Sequence, residues 1–410
     1  MSVQVPEAGS LAGPAAESAA GTIGAWDAPV QLHRAVTRDF VELHVTARPS
    51  DISEPFSAQA GTMYRSLLET LSAEGAEPCD IASEKVFLSD IGSQAHELAR
   101  VRLAARSRTR SKAGPAPALS LVEQPPARSG QLCEVQAYAL VPRGTTPVVS
   151  RTLEGLPPGC SGRMVEAAGV GRLFVSGVTG GTRGDRSDFS DQAAGMFLSA
   201  EKILSAEGFS FRDVTRTWIY LRNIDTDYGS LNQRRRDFFA SRGVRPAPAS
   251  TGIRGAVVPR DRLCGLDLRA IAHDGSVRIS PIHAETMNEA PAYGADFSRG
   301  TRLTFHDHAV LHISGTASID RTGGVVCIGQ IDGQVNRMLV NVSALLAGQN
   351  ASWGNIVSLI TYLKDPRDRE AFRRVSRRHG LPESIPNTIC VADVCRPEWL
   401  CEIEAVAVLS

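Results

Sequence analysis

Three times along the chain a Leu-Cys pair opens an apolar strand: LCEVQAYALVP from Leu132, LCGLDLRAIAH from Leu263 and LCEIEAVAVLS from Leu400. The cysteines, Cys133, Cys264 and Cys401, stand 131 and 137 positions apart. Near-equal separation, with a similar order of elements leading to each, predicts an internal triplication. Each unit reads as strand pairs and two helices, an α+β layer whose helices cover one face of a sheet. The uncovered faces must then be buried against each other. Packing around a pseudo-threefold axis does this, as three subunits would in a cyclic homotrimer. A linear array is the plainer alternative, but units this long do not resemble a small solenoid repeat.

The repeat can be followed element by element. In residues 57–74, Met63, Leu67, Leu68 and Leu71 form one helical stripe ending at Gly75. Its counterpart runs from Phe189 to Glu207 and ends at Gly208. A further helix is expected from Tyr228, with Phe238 and Phe239 on its apolar face and Arg234, Arg235 and Arg236 on a solvated one. GRLFVSGVTG from Gly171 and AVLHISGTASID from Ala309 read as equivalent strands entering turns, which pairs Gly177 with Gly315. The third unit adds helices over residues 330–346 and from Asp365, and a loop from His283 to Gly300 that reaches across something. The expected organisation is a flexible arm over residues 1–25, a divergent first unit over 26–150, a second over 151–278 and a third over 279–410.

Forty-four basic and 44 acidic residues balance, which removes overall attraction to nucleic acid while leaving room for a local basic cleft. The eight cysteines follow neither zinc-pair nor disulfide-framework spacing, and no apolar run of membrane-spanning length occurs. A cytoplasmic protein with free thiols, no membrane partner and no cofactor is expected. His306, His308 and His312 would share a face of a regular strand, but no fourth ligand is evident, so no metal is assigned.

Only the third closing strand carries two carboxylates, Glu402 and Glu404, beside Cys395 and Cys401. Strand alternation puts both acids on one side. They form either a polar surface row or the wall of a site.

The words LFVSG, VTRTWIYLRNI and CEIEAVA resemble the Rid family, also called YjgF or UK114, of trimeric proteins and imine or enamine deaminases. The resemblance spans about residues 32–410 and implies three tandem Rid-like, chorismate-mutase-like units with sites between adjoining units. The carboxylate-binding Arg that Rid deaminases carry before their last strand is missing here, where IPNTICVAD stands from Ile385. The ending PNTICVADVCRPEWLCEIEA, the loop APAYGADFSRG from Ala290 and the strand ISGTASI from Ile313 resemble instead the 3-hydroxybenzoate synthase-like chorismatases, themselves built from Rid-like domains.

That second resemblance implies cleavage of the enolpyruvyl ether of chorismate to pyruvate and 3-hydroxybenzoate. It matches Glu402 to the catalytic acid and Cys395 to a cysteine of the 3-hydroxybenzoate-forming members. The alternatives are hydrolysis to a dihydroxycyclohexadiene carboxylate, a Rid-like imine or enamine deaminase, and a metabolite-binding protein. The partner is a small anionic metabolite, met by a monomeric pseudo-trimer or a homo-oligomer of it.

A substrate with two carboxylates favours arginine forks, for which Arg299 is the first candidate and Arg222 the second; both otherwise read as solvated arginines at element ends. Tyr293 closes over the ring or simply makes a turn, and Gly315 and Thr316 offer donors to a carboxylate. A carboxylic acid against an apolar wall keeps its proton, as ether protonation requires, and this suits Glu402; Glu404 reads as structural or supporting. Cys395 either steers the ring step or is an inert buried thiol.

Overall fold

The computed structural model describes residues 26–107, 114–181 and 187–410. The expected arm over residues 1–25 lies outside the described residues. Three mixed sheets follow one another along the chain. The first orders its strands Val30–Val36, Phe40–Ala47, Cys133–Pro142, Ile81–Leu88 and Ala118–Glu123. The second runs Val148–Thr152, Ser161–Ala167, Val170–Val178, Cys264–His273, Val214–Leu221 and Ala249–Arg254. The third runs Arg278–Pro281, Gly300–Thr304, Ala309–Ala317, Cys401–Leu409, Ile356–Leu363 and Asn387–Val391.

In every sheet the cysteine-led strand is internal and antiparallel to both neighbours, and the last edge pair is parallel. Two helices accompany each sheet: Phe56–Ala73 and Ile91–Ser107, Phe189–Ala206 and Ile224–Arg242, Ile331–Ala347 and Arg369–Arg378. The expected stripe Met63, Leu67, Leu68 and Leu71 is buried in the first of them. The helix expected from Tyr228 begins earlier, at Ile224, because the buried Ile224 already belongs to its packed face. No described helix is long and apolar enough to cross a membrane.

The units close into a ring. Isolated strand bridges join first to second (Glu123 with Ala256), second to third (Ala249 with Ser298, Ile253 with Val394) and third to first (Pro126 with Cys390). Apolar clusters cross these seams, as where Phe87, Trp218 and Tyr220 share one cluster with Ile360 and Tyr362. This is the α+β pseudo-trimer of Rid-like units within one chain.

Register makes the three copies comparable residue by residue. Cys133, Cys264 and Cys401 lie opposite Leu88, Leu221 and Leu363. One step on, Glu134, Gly265 and Glu402 lie opposite Phe87, Tyr220 and Tyr362; two further on, Gln136, Asp267 and Glu404 lie opposite Lys85, Trp218 and Ile360.

Candidate active site between the second and third units

Glu402 and Glu404 project from the third sheet's central strand toward the second unit, and both are buried. Glu404 is clamped by four donors. Trp218 Nε1 donates to Oε1 at 2.6 Å, while Arg216 Nη2 (2.8 Å), Thr251 Oγ1 (2.6 Å) and Tyr362 OH (3.2 Å) converge on Oε2. Three of these four come from the second unit. Burial opposes ionisation, but Arg216, Lys85 and the donors from Thr251 and Trp218 outweigh it and hold Glu404 below the ordinary carboxylate range.

Glu402 has no such clamp: among the described residues none donates a hydrogen bond to it. Burial pushes it up to about 8, the neighbouring Glu404 charge adds to the rise, and Arg216 and Arg299 oppose it. Space for its carboxyl exists because residue 315 is glycine. A Cβ there would lie 1.9 Å from Glu402 Oε1 and 3.1 Å from Thr251 Cγ2.

The other copies of this position are disarmed. Glu134 in the first unit is paired with Arg48 Nη2 at 3.1 Å and accepts Gln131 Nε2 at 2.8 Å. In the second unit the position is Gly265, and even a Cβ would press on Val257 at 2.9 Å. Only the third unit places an unclamped carboxyl there.

Cys395 lies against the apolar clusters of both units, beside Tyr228 and Glu402. Burial pushes its thiol up to about 12 and the Glu402 charge adds to this, so it stands as a neutral SH. The corresponding residue six positions before the cysteine is Ala127 in the first unit and Val258 in the second. The Tyr228 ring closes over Gly252, where a Cβ would meet it at 3.0 Å.

Arg299 is buried, not solvated. It donates from Nε (2.8 Å) and Nη2 (2.6 Å) to the Asn288 carbonyl, and its charge reaches Glu402. Arg222 is elsewhere: it lines a separate cavity of about 440 Å³ with Arg254, Arg260 and Glu123, where the three units meet. The reading of Gly315 and Thr316 as open donors is corrected. Gly315 N–H donates to Thr251 Oγ1 at 3.0 Å and Thr316 Oγ1 to the Ser314 carbonyl at 2.9 Å, so both are already engaged. Tyr293 ends a short 3-10 turn, Ala290–Tyr293, in the loop across the seam; its side chain lies outside the described residues.

The sequence reading missed Arg235. It was placed on a solvated face with its neighbours, yet it is 2% exposed. Its Nη2 donates to Asn232 Oδ1 at 2.6 Å and Nη1 to Ser250 Oγ at 3.4 Å, while Nε has no partner among the described residues. Its guanidinium lies 5.3 Å from the Phe297 ring centre and that of Arg299 lies 5.7 Å from it, so arginines from two units lie near one ring. The available signal was helical spacing: Tyr228, Asn232, Arg235 and Phe239 recur at four, three and four residues on one face. Arg234 and Arg236 are also engaged, with Ser190 Oγ (2.6 Å) and the Gly294 carbonyl (2.7 Å). The regular strand that would align the three histidines does not extend over them: His306 and His308 fall in the turn between strands, and only His312 is in a strand. No group of His, Cys, Asp and Glu suited to a metal occurs among the described residues.

Residues 287–409 match the Endoribonuclease L-PSP family profile. No curated protein matches the chain. Among solved structures, a chorismatase crystal structure is 18% identical with a TM-score of 0.59, covering 80% of this chain and 93% of that one. Yeast Mmf1 (21% identity, TM-score 0.28, 32% of this chain and 100% of that one) and RidA from Psychrobacter sp. PAMC 21119 (18%, 0.27, 31% and 98%) also match. The third unit is thus similar to the L-PSP family profile, and over 80% of its length the chain shares the fold of that chorismatase.

Proposed function

We propose that the chain is a chorismatase, with residues 279–410 supplying the acid and residues 151–278 the facing wall of its groove. The observation that carries this reading is the buried, unclamped carboxyl of Glu402, held up to about 8 and therefore protonated at neutral pH. Enol-ether cleavage needs such an acid. Glu402 delivers its proton to the terminal methylene of the enolpyruvyl group, and positive charge develops at the ether carbon. The ionised Glu404 nearby favours that charge. Arg299 and Arg235, both near Phe297, hold the substrate's carboxylates.

The ring's own hydroxyl then captures the cationic centre, and collapse with aromatisation releases pyruvate and 3-hydroxybenzoate. Together these products contain chorismate's atoms and no others, so no water is consumed in sum. Attack by external water would consume one and leave a dihydroxycyclohexadiene carboxylate. The half-buried, neutral thiol of Cys395 favours the first outcome by filling space beside Glu402 that a water would use.

Incubating the full chain with chorismate, with pyruvate assayed and the ring product identified by mass and NMR, tests the proposal. Equal amounts of pyruvate and 3-hydroxybenzoate are expected. A dihydroxycyclohexadiene product would replace the ring-capture step by hydrolysis. Folded protein that releases no pyruvate would overturn the proposal, and ammonia release from imine substrates would then assign the groove to a Rid-type deaminase.

A further inference from the structure

Three cations surround the indole of Trp218. The Lys85 ammonium lies 3.9 Å from its ring centre, the Arg216 guanidinium 4.6 Å and the Arg269 guanidinium 5.4 Å. Lys85 comes from the first unit, Trp218, Arg216 and Arg269 from the second, and the Trp218 N–H is taken by Glu404 of the third. Lys85 and Arg269 line a cavity of about 70 Å³ with His44, Tyr138, Asp267 and Glu404, where all three sheets face one another.

The acids here are already committed. Asp267 accepts Gly177 N–H (2.9 Å) on Oδ1 and Ser120 Oγ (2.6 Å) and Tyr220 OH (2.9 Å) on Oδ2, with Lys85 Nζ 3.9 Å away. Glu404 holds Arg216. Glu42 faces His44 and Arg172. Glu84 also borders the cavity, but its carboxylate binds Arg102 and Arg106. Four cations, Lys85, Arg172, Arg216 and Arg269, therefore meet three available carboxylates, Glu42, Asp267 and Glu404. The histidines do not alter the balance: burial disfavours the charged forms of His44 and His312.

Arg269 is the cation in excess. Its polar contact is Ser83 Oγ at 3.4 Å, and its guanidinium otherwise lies 5.1 to 5.5 Å from the ring centres of Tyr138, Phe174 and Trp218. Lys85 Nζ and Arg216 Nη1 are buried with no hydrogen-bond acceptor among the described residues. A desolvated charge without its counter-charge is costly; burial pulls Lys85 down only to about 8, which leaves it charged at neutral pH, and an arginine cannot relieve the cost by losing its proton.

We infer that this axial cavity binds one small inorganic anion of the halide class between Lys85 and Arg269. Its size sets the class: about 70 Å³ takes a halide and a few waters, whereas an aromatic dicarboxylate does not fit. The inference is independent of what the groove at Glu402 converts.

Two measurements on the full chain test it. Crystals grown in bromide should show an anomalous peak in contact with both Lys85 and Arg269. The unfolding midpoint should rise with chloride or bromide beyond its rise in sodium gluconate of equal ionic strength, since gluconate exceeds the cavity. Above the dissociation constant, each tenfold increase in halide should multiply the folding constant about tenfold. Arg269→Gln should lose the halide excess; if that variant fails to fold, the wild-type measurements decide. Water alone in the cavity, bromide only at surface arginines, or equal midpoints in halide and gluconate would overturn the inference.

Discussion

Glu402 and Glu404 stand two positions apart on a single strand, and the fold drives their carboxyls toward opposite protonation states. Burial raises Glu402 to about 8, whereas Arg216, Lys85 and direct donors hold Glu404 ionised despite equal burial. Environments that split two acids in this way assign one to give a proton and the other to stabilise charge. The acid form of Glu402 dominates below its pKa, so kcat for pyruvate release should be steady through neutral pH and fall as pH rises through about 8. Removing the Glu404 charge removes one cause of the rise, so Glu404→Gln should move this limb to lower pH. A pH-rate profile of both proteins checks the sign. A limb unmoved by Glu404→Gln would mean that another group titrates.

The same shift makes a stability prediction. The folded chain favours protonated Glu402, so below the unfolded value of 4.5 the acid carries no penalty, and stability is lost as pH rises from there through about 8. Glu402→Gln keeps the shape and removes the titration. It should abolish turnover while raising stability at pH 8 by about 4 kcal/mol, with the gain vanishing near pH 4. Urea unfolding of both proteins at the two pH values measures this.

The repeat was legible because it is written in the chain itself: three Leu-Cys strands at nearly equal intervals need no structure to be seen. Glu402 was legible as a candidate because strand alternation is a local rule. What separates it from Glu134 is not local. Both are buried acids after a cysteine, but Arg48 reaches Glu134, and no sequence spacing announces that pairing. The clamp on Glu404 is likewise hidden, since Arg216 and Trp218 lie 188 and 186 residues away and meet it only across a seam between units. Arg235 was misplaced because a run of three arginines looks like a solvated face, whereas a helix turns each of them in a different direction.

Gly315 offers a test of geometry without charge. Alanine there would place Cβ 1.9 Å from Glu402 Oε1, and the carboxyl, as the end of a flexible chain, would move to make room. A displaced acid costs rate more than stability, so Gly315→Ala should lower kcat about 100-fold. The loss of unfolding free energy should stay within about 1–3 kcal/mol. Equal turnover by the alanine variant would show that Glu402 need not sit where Gly315 admits it.

Arg235 should act on binding. Its buried guanidinium has an unmatched Nε and an aromatic neighbour shared with Arg299. Lysine keeps the charge but loses the planar fork. Losing one charge-assisted hydrogen bond of about 1.5–3 kcal/mol corresponds to a rise in KM of roughly 10- to 150-fold with kcat little changed. A fall in kcat at constant KM would instead place Arg235 in transition-state stabilisation.

Cys395 decides between filling space and performing chemistry. A covalent role requires a thiolate, and burial with the Glu402 charge alongside pushes this thiol up to about 12, so it should resist iodoacetamide at pH 8 in the folded protein. Its neutral sulfur lies where both units meet, beside the acid and Tyr228, and alanine would leave a gap the size of the thiol. A water entering that gap would stand next to the developing cation and compete with the ring hydroxyl. Cys395→Ala should therefore keep releasing pyruvate at a similar rate while the ring product shifts from 3-hydroxybenzoate toward the dihydroxycyclohexadiene carboxylate. An unchanged product ratio would make Cys395 a packing residue, and loss of pyruvate release with the fold intact would give it a part in the protonation step itself.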